Sequence, residues 1–86
     1  MRTLRDDGDL EVWSKVLHDG VRAVVLFNRS DRETNIGVMW TEIGYPSRLN
    51  ATVRDIWQKK DLGTSRGAYA ADVPSHGAVM LKIVPQ

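Results

Sequence analysis

Apolar residues in this chain fall in short segments separated by turn-forming residues, and this pattern predicts β-strands. The clearest segment is Thr34–Thr41, "TNIGVMWT", which alternates between apolar and polar or small residues. Such a period of two is typical of a strand with one buried face, so Ile36, Val38 and Trp40 are expected to share that face. No segment of ten or more residues carries an apolar stripe of period 3.6, and helices longer than about two turns are not expected.

The same pattern locates the other strands and the turns between them. Six strands are predicted: Leu10–Leu17, Val21–Phe27, Thr34–Thr41, Ala51–Trp57, Ala68–Val73 and Ala78–Val84. Asp19-Gly20 predicts a tight hairpin turn, because both central residues of a type I′ turn need a positive φ. Residues 42–50 are interpreted as a loop with room for a single helical turn, and residues 58–67 as an exit loop. Strands at this spacing favour an antiparallel sandwich or barrel.

Length and charge exclude several classes of function. The chain has 86 residues, enough for one domain, which we place at residues 10–86 behind an N-terminal tail of residues 1–9. Its net charge of +1 does not favour nucleic acid or an anionic membrane as a partner. The longest apolar run, Ala23–Phe27, is far shorter than the ~20 residues of a membrane span. The first ten residues, "MRTLRDDGDL", lack the apolar region of a signal peptide.

The residues that usually bind metals are scarce. His18 and His76 both lie in predicted turns, and the chain has no cysteine. The acidic run of Asp6, Asp7 and Asp9 lacks the ligand ladder of a calcium loop and is interpreted as part of the solvated tail. We therefore predict neither a metal site nor another cofactor.

Catalysis by this chain alone is not expected. Ser75 and His76 are adjacent, and neighbours on an extended chain point to opposite sides, so they cannot form a Ser–His pair. No Gly-x-Ser-x-Gly motif and no phosphate-binding glycine loop is present. We therefore predict no catalytic residue in this sequence.

The three tryptophans allow two interpretations. Indole rings stack on sugars, so Trp13 and Trp57 are candidate substrate-binding residues of a free-standing carbohydrate-binding module. Alternatively each tryptophan, Trp40 included, fills the core or a domain interface, since one large ring buries much apolar area in a small domain. Exposure separates the two: buried rings favour an accessory domain, and two coplanar exposed rings favour a module.

Two asparagines begin N-glycosylation sequons, Asn28-Arg29-Ser30 and Asn50-Ala51-Thr52. Asn28 also fits a hairpin-turn residue that tolerates a positive φ. The sequence leaves the use of both sequons open.

Four fragments, in order and spacing, resemble one family of glycosidases. They are "LEVWSKVLHDGVRAVVLFNRSDR", "GVMWTEIGYP", "ATVRDIWQKKDLGT" and "VPSHGAVMLKIVP". Together they are similar to the C-terminal domain of melibiase-type α-galactosidases and α-N-acetylgalactosaminidases, glycoside hydrolase family 27. The resemblance covers about residues 10 to 85.

The resemblance implies an antiparallel Greek-key β-sandwich with about six to eight strands in two sheets. In that family the sandwich follows a (β/α)₈ barrel, and the two catalytic aspartates lie on the barrel. No part of this sequence matches the barrel, so no catalytic residue carries over. The function implied is an accessory domain of an α-galactosidase-like glycosidase, which packs on its catalytic barrel and stabilises it.

Two strands are apolar on both faces, which points to a missing partner. In Val21–Phe27 the set of Ala23, Val25 and Phe27 alternates with Val24 and Leu26. In Ala78–Val84 one face carries Val79, Leu81 and Ile83, and the other carries Met80 and Val84. A sandwich covers one face of each sheet, so an apolar second face implies another surface lying on it.

The candidate residues of this domain interface are Val24, Leu26, Met80 and Val84. The isolated domain is expected to expose them and to self-associate through them. The alternative is that the loop of residues 42–50 folds over the strand and covers this face.

Overall fold

The computed structural model describes residues 2–86, which form eight strands and two short 3₁₀ segments. The strands are β1 Arg2–Asp7, β2 Leu10–Val16, β3 Arg22–Asn28, β4 Thr34–Met39, β5 Asn50–Asp55, β6 Lys60–Arg66, β7 Ala68–Val73 and β8 Gly77–Pro85. The 3₁₀ segments are His18–Gly20 and Trp40–Ile43. No helix within residues 2–86 is long and apolar enough to cross a membrane.

The strands form two antiparallel sheets packed as a sandwich. Six strands make the larger sheet in the order β1-β2-β3-β8-β5-β6, and β4 pairs with β7 in the smaller one. β8, the last strand in sequence, lies between β3 and β5, which gives the connectivity of a Greek key. The predicted all-β, antiparallel sandwich is confirmed, and both 3₁₀ segments are shorter than two turns.

The predicted strands did not include β1 and β6, which are the two edge strands of the larger sheet. Residues 2–7 pair with β2 and are not a tail, and residues 60–66 pair with β5 and are not a loop. Met1, also assigned to the tail, lies outside the described residues. Edge strands bond to one neighbour and carry charged side chains, so neither shows the apolar alternation of a covered strand.

The predicted turn at Asp19-Gly20 is confirmed. Asp19 has φ 59° and Gly20 has φ 77°, and the N–H of Val21 donates to the carbonyl of His18 at 3.2 Å. The left-handed region costs a glycine nothing and an aspartate little, which explains why this dipeptide reverses the chain here.

The core lies between the two sheets. Ile36, Val38 and Trp40 are all buried, as predicted, and they pack with residues of the larger sheet such as Leu26 and Leu81. The remaining core residues are Val12, Val24, Ile43, Tyr45, Ala51, Val53, Val73 and Ile83. The face of the larger sheet that points to this core is called the inner face below, and the opposite one the outer face.

The loop of residues 42–50 closes one end of the core and does not cover the outer face. Its Ile43 and Tyr45 belong to the core, and the Tyr45 hydroxyl donates to the carbonyls of Gly20 and Ile83. The Tyr45 ring meets Trp40 edge-on at 6.3 Å between centroids, and the Arg22 guanidinium lies 4.8 Å from its centre. The alternative in which this loop hides the second apolar face is therefore wrong.

Asn28 ties the two sheets together from within. It is completely buried, and its amide nitrogen donates to the carbonyls of Arg32 at 2.9 Å and Val73 at 3.0 Å. Its amide oxygen accepts from the Ser30 N–H and hydroxyl. All hydrogen-bonding sites used by this side chain point into the protein, so the first sequon is inaccessible in the folded chain, whereas Asn50 is exposed.

Candidate docking face

The residues considered for chemistry remain dispersed. His18 and His76 are exposed in two different turns, one between β2 and β3 and the other between β7 and β8. Within the part of the chain that the structure describes, no three or more His, Asp or Glu residues lie close enough to hold a metal ion. Two tyrosines have shifted pKa values, and both are structural. Burial raises the pKa of Tyr45 against the opposing effect of Arg22, and burial with the nearby Asp55 raises that of Tyr69.

The three tryptophans occupy three different environments. Trp40 is completely buried in the core, Trp13 is half-buried on β2, and Trp57 is 58% exposed in the turn after β5. The strands β2 and β5 are separated by β3 and β8, so about 14 Å of sheet lies between the two sugar candidates. Of the aromatic rings in residues 2–86, the one close pair is Trp40 with Tyr45. Nothing in this arrangement supports a carbohydrate-binding platform.

Two of the four predicted interface residues lie on the wrong side of the sheet. Val24 and Leu26 are completely buried on the inner face, beneath the β4–β7 sheet, and no other domain can contact them. Met80 and Val84 are half-buried and belong to the outer face. The error has a simple cause: β3 is apolar on both sides, and alternation alone cannot say which side the second sheet covers.

The outer face carries its own apolar row across three central strands. Residues directly opposite on paired strands project to the same face, and Trp13 pairs with Val25, which pairs with Met80. The next row places Phe27, 38% exposed, opposite Ala78. Apolar side chains therefore extend over β2, β3 and β8 on the side away from the core.

Two shallow hollows shape this outer face. One, of about 240 Å³, is lined by Glu11, Trp13, Val25 and Phe27. The other, of about 360 Å³, lies over β5, β6 and β8, where Val84 and Thr52 form part of its lining. Gly63 lies beside a bulge in β6, where the register skips Leu62; it has φ 90°, and a Cβ at this position would meet no atom within 4 Å. The first hollow opens over the apolar row itself, and the second lies beside it, where Lys82, Arg54 and Asp61 also contribute to the lining. Another protein surface can fill such hollows.

Charged side chains surround the apolar row. The Trp13 indole N–H donates to Glu11 at 2.8 Å, and the same carboxylate pairs with Arg29 at 2.6 Å. On the other side, Arg54 pairs with Asp61 at 2.6 Å. Sequence reasoning missed Val25 and Phe27 as members of this face, although the alternation in β3 already grouped them. Trp13 was predicted to lie in the core or at a domain interface, or to bind sugar.

Comparison with known proteins identifies relatives of this domain. The α-galactosidase of Coffea arabica is 34% identical over 79 residues, which cover 92% of this chain and 21% of that enzyme. The crystal structure of α-galactosidase I from Mortierella vinacea superposes with a TM-score of 0.89 at 29% identity, over 94% of this chain and 22% of that one. A family 27 β-L-arabinopyranosidase from Geobacillus stearothermophilus, solved with arabinose, gives a TM-score of 0.90 at 26% identity.

The chain therefore spans about a fifth of the length of these relatives. The family model for the α-galactosidase C-terminal β-sandwich domain matches residues 7–83, from the end of β1 into β8. This chain belongs to the family of α-galactosidase C-terminal β-sandwich domains.

Proposed function

We propose that this domain is a non-catalytic part of an α-galactosidase-like glycoside hydrolase, and that it stabilises the catalytic (β/α)₈ barrel by packing on it through the outer face. The observation that carries the proposal is the apolar row of Trp13, Val25 and Met80 on the side of the sheet opposite the core. A six-stranded sheet with apolar residues on both faces is typical of a sheet covered on both faces.

The relatives support this division of labour. The matched sandwich occupies about a fifth of enzymes named for different sugars, galactose in one and arabinose in another. A sandwich that is shared while the named sugar changes fits a supporting domain better than one that selects substrate. Met80 and Val84 remain proposed interface residues, joined by Trp13, Val25 and Phe27.

A graft tests the proposal. Residues 1–86 would replace the matching segment of the Coffea arabica α-galactosidase, and the thermal inactivation of its activity would be followed. Met80→Ser should speed inactivation about fivefold, because an apolar side chain buried against the barrel contributes roughly 1 kcal/mol or more. The value of kcat/KM below the inactivation temperature should not change.

Met39 provides the matched control, since it is a methionine that is 58% exposed and lies on β4 in the smaller sheet. Met39→Ser should leave the inactivation rate within about twofold of the unmodified graft. Equal rates for the two variants would show that the outer face is not the docking surface.

A further inference from the structure

The acidic groups on the outer face already have partners on that face. Glu11 binds Arg29 and Trp13, and Asp61 binds Arg54 at 2.6 Å. The exposed Asp6 lies 3.6 Å from Arg29 as well. These three carboxylates share two arginines, Arg29 and Arg54, so each already lies beside a positive charge and about one net negative charge is left on this part of the face.

Two lysines of the same face are different. Lys15 on β2 lies directly opposite Ala23 on β3, and Ala23 lies directly opposite Lys82 on β8. Both lysines are exposed and stand about 10 Å apart, at two strand spacings. Among the residues whose side chains the structure describes, neither has a carboxylate within 4.0 Å. We call Lys15 and Lys82 the lysine pair.

The lysine pair borders the apolar row directly. It lies one row along the strands from Trp13, Val25 and Met80, on the same side of the sheet. A partner that covers the apolar row must also approach the two ammonium groups. If that partner brought no negative charge, two lysines would lose hydration without compensation, which is unfavourable.

We propose that the outer face is built for a surface with an apolar ridge flanked by carboxylates, and that this surface belongs to the catalytic domain of the parent polypeptide. The inference rests on the proposed function and specifies the chemistry of the partner. The four fifths of the relatives' length that lie outside the match provide the chain for such a surface. A second copy of this domain fits poorly, because its outer face brings the same two lysines and carboxylates that already lie beside arginines.

The charge preference can be measured with this chain alone. The probe is the double variant Lys15→Glu/Lys82→Glu, which keeps the apolar row and replaces the lysine pair with carboxylates. Sedimentation equilibrium at ~20 mM salt should show that unmodified chain binds this probe about tenfold more tightly than it binds itself. The difference should fall below about twofold at ~500 mM salt, where exposed charges are screened.

The control is Lys59→Glu/Lys60→Glu, in the exposed turn and edge strand beyond β5. Both double variants lower the net charge of +1 by the same four units, since each change removes two. Unmodified chain should bind this control within about twofold of its own self-association. Lys15→Gln/Lys82→Gln, which only removes the positive charge, should strengthen self-association about threefold and serves if the first probe fails to fold.

Three results would overturn the inference. Equal binding of both Glu variants would mean that net charge decides and position does not. An absence of any preference would exclude the lysine pair from the contact. Strong self-association of the unmodified chain that the Glu probe weakens would make a second copy the occupant. These outcomes are separate from the graft, in which Met80→Ser tests whether the outer face docks at all.

Discussion

The two faces of β3 are alike in sequence and different in the fold. Leu26 points to the inner face and is completely buried, while Phe27, the next residue, points outward and is 38% exposed. Both are large and apolar. The difference arises because β4 and β7 cover the inner face and nothing in residues 2–86 covers the outer one. Apolar residues thus lie on both faces of β3, and residues 2–86 cover the inner face alone.

The largest expected effect contrasts these two residues. Leu26→Ala should lower the free energy of unfolding by about 3 kcal/mol, because it leaves a cavity in a closely packed core. Phe27→Ala should cost about 1 kcal/mol or less, since its ring is partly in water already. Urea unfolding of the 86-residue chain measures both. Similar losses would mean that the outer face is as well packed as the core.

A second contrast concerns polar side chains. Asn28→Ala should cost about 2–3 kcal/mol, because it leaves the carbonyl of Val73 and the N–H of Ser30 without their bonds to the side chain. Asn50→Ala, at an exposed asparagine of the other sequon, should change stability by less than about 0.5 kcal/mol. The same unfolding experiment compares them, and a small effect at Asn28 would contradict its role as the link between the sheets.

A third prediction concerns pH. The pKa of Tyr45 is raised from its ordinary value of 10.0 by burial, so the folded chain keeps this proton at a pH where the unfolded chain loses it. Stability from this group is therefore complete below pH 10 and falls as the pH rises beyond it. Tyr45→Phe should cost about 1 kcal/mol at neutral pH through its lost hydrogen bonds, and should flatten the decline above pH 10.

Unfolding free energies measured between neutral and strongly basic pH test this prediction. Tyr69, whose pKa burial also raises, should leave a residual decline in Tyr45→Phe. An unchanged slope in the variant would show that Tyr45 does not link stability to pH.

The smallest effect is expected at Trp57, which belongs to neither face of the contrast. Trp57→Ala should change stability by less than about 0.5 kcal/mol, because the ring is 58% exposed. Galactose should bind the unmodified chain with a Kd that is roughly millimolar or weaker, since the ring lies open to solvent and lines neither hollow of the outer face. Micromolar binding by calorimetry that disappears in Trp57→Ala would restore the carbohydrate-binding interpretation.

Much of the fold was predictable because a strand with one buried face shows a regular alternation of apolar and polar residues in the sequence. The alternation of Ile36, Val38 and Trp40 identified a core face, and Asp19-Gly20 identified its turn from the φ values that only a few residues tolerate. The edge strands β1 and β6 lack this alternation. Each edge strand forms hydrogen bonds with a single neighbouring strand, and its other edge faces water. Their sequences are rich in polar residues, which led to their prediction as a tail and a loop.

The residues predicted for the docking face were partly wrong. The double apolar character of β3 indicated a second apolar surface, but Val24 and Leu26 were assigned to it and Phe27 was not. Which side is covered depends on where β4 and β7 lie, and that is a long-range property absent from local alternation. The lysine pair could not be predicted from the sequence either, since Lys15 and Lys82 become neighbours only through the pairing of β3 with β8.

The place of β8 has a consequence for how the domain is made. The last strand in chain order occupies the centre of the larger sheet and holds β3 to β5. During synthesis the strands up to β7 are made before β8, and no earlier strand can pair with both β3 and β5. These two strands therefore each keep an unpaired edge until β8 is made. Translation through β8 closes the larger sheet, whereas a chain that stops before β8 keeps unpaired edges on β3 and β5, which can pair with other chains. The sheet is therefore complete only when β8 has been made.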